Sequence, residues 1–254
     1  MFPPQELSDD GFLGQRLRIL QPRAGYRAAT DPVLLAAAVP ALPGHSVLEL
    51  GCGAGVASLC LAARVQGLHL TGLERQPAYA ALARQNAARN GIALTVVEGD
   101  LAAMPPALRQ LQFHHAIANP PFFAANDGTK ADDPGREAAQ REDTPLSLWI
   151  DAATRRLAPG GWLTLIHHAP RLPALLAALD ARLGSVAVLP LAARADRAAG
   201  RVIVRARKGG RAPFRLLAPL ILHQGDAHGA DGDSFTPLAQ AVLRQGAGLE
   251  ARFA

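Results

Sequence analysis

Apolar residues fall into short continuous runs separated by longer stretches of helical period. Ser46–Leu50, His69–Leu73, Leu94–Glu98 and His114–Ala118 read as strands, being apolar or alternating runs bounded by turn residues. Gly55–Val65 and Pro77–Asn90 carry the helical period between them, the second opened by proline and closed by Gly91. Pro145–Leu157 predicts a further helix, stopped by Pro159-Gly160-Gly161 ahead of a strand at Trp162–His168. Arg171–Leu183 predicts another helix, Val186–Leu191 and Arg201–Arg207 the last two strands, and Asp31–Ala41 a helix before the first strand. Strands alternating with helices specify an α/β fold built on a parallel sheet with crossover helices. The polar stretch Ala124–Asp143 reads as a mobile loop over a site, and the Gly- and Asp-rich tail after Pro219 yields no assignment.

Composition narrows the class. The chain has 254 residues, 49% of them hydrophobic and 19% charged, which is a globular profile large enough to need no disulfide or metal staple. Cys52 and Cys60 lie in one apolar segment, which argues against a secreted disulfide framework. No apolar run of about 18 residues predicts a membrane span. The N-terminal residues lack a basic stretch followed by an apolar core, so a cytoplasmic protein is expected.

The net charge of +5 is unevenly placed. Residues 1–193 hold 16 basic and 16 acidic residues, whereas 194–254 hold 10 and 5. Arg194, Arg197, Arg201, Arg205, Arg207 and Lys208 head a stretch, Arg194–Arg215, with eight basic residues and one acidic. Arginine forks match phosphate oxygens, so the expected partner of this cluster is a nucleic acid; a solvated face is the alternative.

The glycine turn Glu49-Leu50-Gly51-Cys52-Gly53-Ala54-Gly55 joins a strand to a helix. Its glycines permit a tight turn and close approach of a ligand to the backbone. An acid before the turn would repel a pyrophosphate but suits an amine and a sulfonium, which favours S-adenosylmethionine over a dinucleotide. Glu74 ends the next strand and can accept both ribose hydroxyl protons; Asp100, after the third strand, can accept from an adenine amino group. Three acids at three consecutive strand ends line the crevice where open α/β sheets bind ligands.

Asn119-Pro120-Pro121-Phe122 stands at the end of the fourth strand. Two prolines stiffen the corner and remove two donors while their carbonyls remain acceptors. With the Asn119 side chain, that corner can grip an NH2 group in plane, and Phe122 offers a face for a base. Holding a nitrogen and a methyl in near-attack geometry supplies most of the acceleration of a methyl transfer.

These motifs resemble the class I S-adenosylmethionine-dependent methyltransferases with an Asn-Pro-Pro-aromatic signature. Asp9-Asp10-Gly11-Phe12-Leu13-Gly14, Leu20-Gln21-Pro22-Arg23-Ala24-Gly25-Tyr26-Arg27 and Thr30-Asp31-Pro32-Val33-Leu34-Leu35 narrow the likeness to the bacterial tRNA1(Val) adenine-N6 methyltransferase family. The resemblance runs through Arg201–Lys208. It implies one Rossmann-like domain over 1–254, with seven strands, helices on both faces and the last strand antiparallel. It implies that 1–43 closes the pocket of a 44–254 core, with Thr30 and Asp31 on the N-terminal side. It further implies that Glu49, Gly51, Cys52, Gly53, Glu74, Asp100, Leu101 and Asn119 hold the cofactor and Asn119–Phe122 an adenine of RNA, tRNA near the anticodon being the expected substrate. An rRNA guanine N2, a protein glutamine amide, or non-catalytic RNA binding are the alternatives. His114-His115 and His167-His168 lack nearby Cys or Glu at ligand spacing, so no metal is expected; Trp149 and Trp162 read as core, and Tyr26 is ambiguous.

Overall fold

The computed structural model describes residues 2–121, 123–124, 141–142, 144–225 and 234–254. Seven strands form the body of one sheet: β3 (Ser46–Leu50), β4 (His69–Glu74), β5 (Leu94–Glu98), β6 (Phe113–Ala118), β7 (Leu157–His168), β8 (Leu183–Ala192) and β9 (Ala199–Lys208). Their order in space is β8-β9-β7-β6-β3-β4-β5. β9 is antiparallel to both β8 and β7, and the other neighbours are parallel. Two-residue strands at Arg215–Leu216 and Leu220–Ile221 extend the sheet beyond β8.

Alternation along the strands feeds two cores. Val47, Ile117, Leu189 and Ile203 face one layer, packed by α1 (Asp31–Ala38), α2 (Val56–Arg64), α3 (Pro77–Arg89) and α6 (Pro237–Gln245). Leu48, Ala116, Val188 and Val202 face the other, covered by α4 (Leu146–Arg156) and α5 (Leu172–Ala178). Successive strand residues point to opposite faces, so continuous apolar runs are what a sheet covered on both sides requires.

Two expectations are corrected, and one element is new. The helix expected over Arg171–Leu183 spans only Leu172–Ala178, and Leu183 already opens β8. Asp180 ends it locally: its Oδ1 accepts from the Arg182 amide at 2.8 Å, a turn that competes with helix. Pro159-Gly160-Gly161 does not precede the strand but lies inside it, at a register shift opposite Phe113 and His115. A hairpin of β1 (Leu7–Phe12) and β2 (Leu17–Pro22) was not expected at all. It is fastened to α3 by Asn86, fully buried, whose Oδ1 accepts from Leu20 N at 2.8 Å while Nδ2 donates to Leu20 O at 3.0 Å. The ends of the expected loop pair as Phe123–Ala124 with Arg141–Glu142; residues 125–140 and Asp143 lie outside the described residues.

Candidate active site

The carboxyl ends of β3, β4, β5 and β6 open into one cavity with about 1070 Å³ of empty space, continuous with solvent. Glu49 reaches it from β3 and is buried. Its Oε2 accepts from the Ser58 amide at 3.0 Å and from the Ser58 hydroxyl at 2.5 Å, so it also caps the first turn of α2. Burial pushes its pKa up to about 7; Ser58 opposes the rise and the charge of Glu74 adds to it. Glu74, at the end of β4, accepts from Gly53 N through Oε2 and from Gln76 N through Oε1, each at 2.8 Å. Burial also raises its pKa, against those amides. Glu74 thus holds the glycine turn in shape, and each oxygen keeps a lone pair for a ligand.

Gly51 and Gly53 have φ of +63° and +53°, a region that favours glycine. A Cβ on Gly51 would meet the Trp149 ring at 2.7 Å, so the turn also needs a hydrogen there. Cys52 is buried on the cavity wall, and burial pushes its thiol well up. Asp100 and Leu101 line the same wall, with Asp100 Oδ1 accepting from Ala102 N at 2.9 Å.

Asn119 and Pro121 line the cavity at the end of β6. Asn119 Nδ2 donates to the Tyr26 hydroxyl at 3.3 Å, and Asn119 Oδ1 is buried without a partner. A buried acceptor left unpaired is unfavourable by about 1–3 kcal/mol, so it is an atom waiting for a donor. Pro120, expected at the site, is buried and does not line the cavity, and Phe122 lies outside the described residues.

The cavity roof comes from the N-terminal segment. The Tyr79 hydroxyl accepts from Tyr26 N at 2.9 Å and donates to Tyr26 O at 3.1 Å. Gln21 brackets Ala28, accepting from its amide at 2.7 Å and donating to its carbonyl at 3.2 Å. Burial raises the Tyr26 pKa, which keeps the phenol protonated. Ala28 and Pro32 reach the cavity wall, but Thr30 and Asp31 do not. Asp31 instead accepts from Arg201 Nε at 3.0 Å, which ties α1 to β9.

Residues 30–192 match the model of the methyltransferase small domain. A tRNA1(Val) (adenine(37)-N6)-methyltransferase of Porphyromonas gingivalis is 33% identical over 172 residues, 64% of this chain and 67% of that protein. The protein of that name from Dickeya chrysanthemi is 27% identical over 218 residues, 84% and 85% of the two chains. Among solved structures, a predicted O-methyltransferase of Agrobacterium tumefaciens superposes with a TM-score of 0.69 at 28% identity, over 86% of this chain and 97% of that one. The chain belongs to the tRNA1(Val) adenine-N6 methyltransferase family.

As a member of this family it is a class I S-adenosylmethionine-dependent methyltransferase. The donor set fits that cofactor: buried carboxylates for a cation and hydroxyls, a glycine turn open to close approach, and unpaired polar atoms in the wall. Sequence reading missed one such atom. Trp149 was assigned to the core, and it is buried there, yet it lines the cavity and its Nε1 has no partner. Gln21 lies in the Leu20–Arg27 motif without a role of its own and Tyr26 there is ambiguous, because their contacts to Ala28 and Asn119 leave no periodic signal.

The basic residues do not form one face. Arg194 and Arg205 are buried; Arg194 donates to Gln224 O at 2.7 Å, and Arg205 sits between the rings of Trp162 and Phe253 at 4.6 and 4.4 Å. That takes both out of the solvent-facing set. β9 runs antiparallel, so Arg201 pairs with His168 at the cavity end and Arg207 with Trp162 at the other. Six residues of strand separate them by roughly 20 Å. Arg207 Nε donates to Gly160 O at 3.0 Å and Lys208 to Leu157 O at 2.6 Å, both far from the cavity. Arg197 is exposed in the β8–β9 connection, at the cavity end. Among the described residues no group of three or more His, Cys, Asp or Glu side chains is placed to hold a metal, and no helix is long and apolar enough to cross a membrane.

Proposed function

We propose that this methyltransferase acts on the exocyclic N6 of an unpaired adenine in tRNA, near the anticodon, in the cytoplasm. The observation that carries the reading is Asn119 Oδ1, an acceptor buried without a partner in the cavity wall beside a double-proline corner. It accepts one proton of the adenine amino group, and a carbonyl of the double-proline corner accepts the other. That grip holds the amino group in one plane and aims the nitrogen lone pair across the cavity. S-adenosylmethionine, when bound, supplies a methyl group on a sulfonium. Glu49 and Glu74 place negative charge near that cation and its hydroxyls, and Asp100 accepts from its adenine. Tyr26 fixes the amide of Asn119, and the motif assigns the stacking face for the base to Phe122.

The names of the relatives support RNA as substrate, and an anticodon-loop base is already unpaired, so extruding it costs little. Arg197, exposed at the cavity end of the sheet, is the residue of the basic cluster placed to meet backbone phosphates. The deciding experiment is incubation with labelled cofactor and total tRNA, followed by nucleoside analysis. N6-methyladenosine is the expected product. Label in an O-methylated nucleoside, in guanosine or in protein would overturn the assignment.

A further inference from the structure

We propose that His167 is a positioning residue for methyl transfer: its Nε2–H holds the Pro121 carbonyl and so fixes the acceptor corner that carries Asn119. β6 and β7 run side by side, with Ala118 opposite Leu165, so the chain leaving β6 passes beside His167. The His167 side chain is fully buried. Its tautomer follows from its neighbours. The His168 amide donates to Nδ1 at 2.9 Å, so Nδ1 carries no proton. A neutral imidazole then has its one N–H at Nε2, and that nitrogen lies 3.2 Å from the Pro121 carbonyl oxygen. Burial pushes the His167 pKa down to about 4, so the ring stays neutral at working pH.

The corner needs such a contact. Prolines fix φ at each position but contribute no N–H, so neither residue can be anchored to a neighbouring strand by donating. Rotation about ψ is left, and the direction of the Pro121 carbonyl reports it. A donor on that oxygen from a rigid central strand pins the peptide plane and, through it, the angle at which Asn119 meets its ligand.

This inference rests on the proposed acceptor role of Asn119. The test compares His167→Leu, which fills the space without a donor, with His167→Gln, whose Nε2 restores one. His167→Leu should lower kcat about 10²-fold, the scale of loss for an ångström-sized misplacement, while cofactor affinity holds within about twofold. His167→Gln should recover most of that loss. Equal kcat in the two variants, or losses that track only their melting temperatures, would overturn the proposal. Ring 15N chemical shifts of the unaltered protein test the tautomer without any variant: protonation at Nδ1 rather than Nε2 overturns it even if both variants fail to fold. If the unaltered protein methylates no adenine, the proposed function fails, and the tautomer result still stands on its own.

Discussion

Glu49 gives the sharpest prediction because its two roles oppose each other. Its pKa is pushed from the ordinary 4.5 to about 7 by burial. A carboxyl whose folded pKa lies above its unfolded value binds its proton more tightly when folded. Its contribution to stability is therefore complete below about pH 4.5, falls as pH rises to about 7, and is absent above that. The rise from 4.5 to about 7 corresponds to ~3 kcal/mol of pH-dependent stability from this one group. Glu49→Gln keeps an acceptor for Ser58 and removes the buried charge. At pH 8 it should raise the melting temperature by about 6–12 °C, at 2–4 °C per kcal/mol for a chain of this size, and near pH 4.5 by almost nothing. Melting curves from pH 4.5 to 8 measure this directly; Glu74, shifted the same way, leaves a residual slope in both proteins. Cofactor affinity should move the other way, falling in Glu49→Gln because the cation loses its carboxylate. In the unaltered enzyme at pH 7, binding of the cationic cofactor should expel part of a proton, seen as a binding enthalpy that depends on buffer ionisation heat. A variant no more stable at pH 8 than its parent, with the same pH slope, would falsify this account.

The other expectations are narrower. Asn119→Ala should lower kcat about 10²-fold and leave cofactor affinity within about twofold by calorimetry; equal loss of both would refute its role on the amino group. Trp149→Phe removes the unpaired N–H together with the outer ring atoms that lie against Gly51; it should lower stability through the space it leaves and weaken binding of cofactor or substrate by about 1–1.5 kcal/mol, and unaltered affinities would return Trp149 to a packing role. Arg197→Glu should weaken tRNA binding and flatten its salt dependence, whereas Arg207→Glu, on the far end of β9, should change neither; the reverse ranking in filter binding would place the RNA on the opposite edge of the sheet.

The fold was legible where pattern and punctuation agreed. The apolar runs at 46–50, 69–74 and 113–118 are strands because each is buried on both faces, and Gly91 and Pro77 bracket α3 as their backbone preferences require. Glu49, Glu74, Asp100 and Asn119 were legible because strand ends are where such a sheet binds ligands, and all four line one cavity. The hairpin was not legible. Its pairing depends on Asn86 and Asn90, two side chains more than 60 residues away that stand in for a neighbouring strand. The basic cluster misled for a related reason. Proximity in sequence suggested one patch, but an extended strand spreads Arg201 to Arg207 along its length and turns Arg205 inward against Trp162. Asp31 was expected at the pocket and found on Arg201, a contact between residues that no local pattern couples.

The position of β9 has a consequence for how this protein is made. The strand that closes the gap between β7 and β8 is the last of the seven to leave the ribosome. Until residues 199–208 have emerged, β7 leaves the seven residues Trp162–His168 unpaired on that side, and β8 has no bond to the rest of the sheet. Such an edge is a template for strangers. A nascent chain stalled before that point is therefore a hazard to its neighbours, and a fragment cut there for expression should collect in inclusion bodies although the whole cofactor cavity is already encoded.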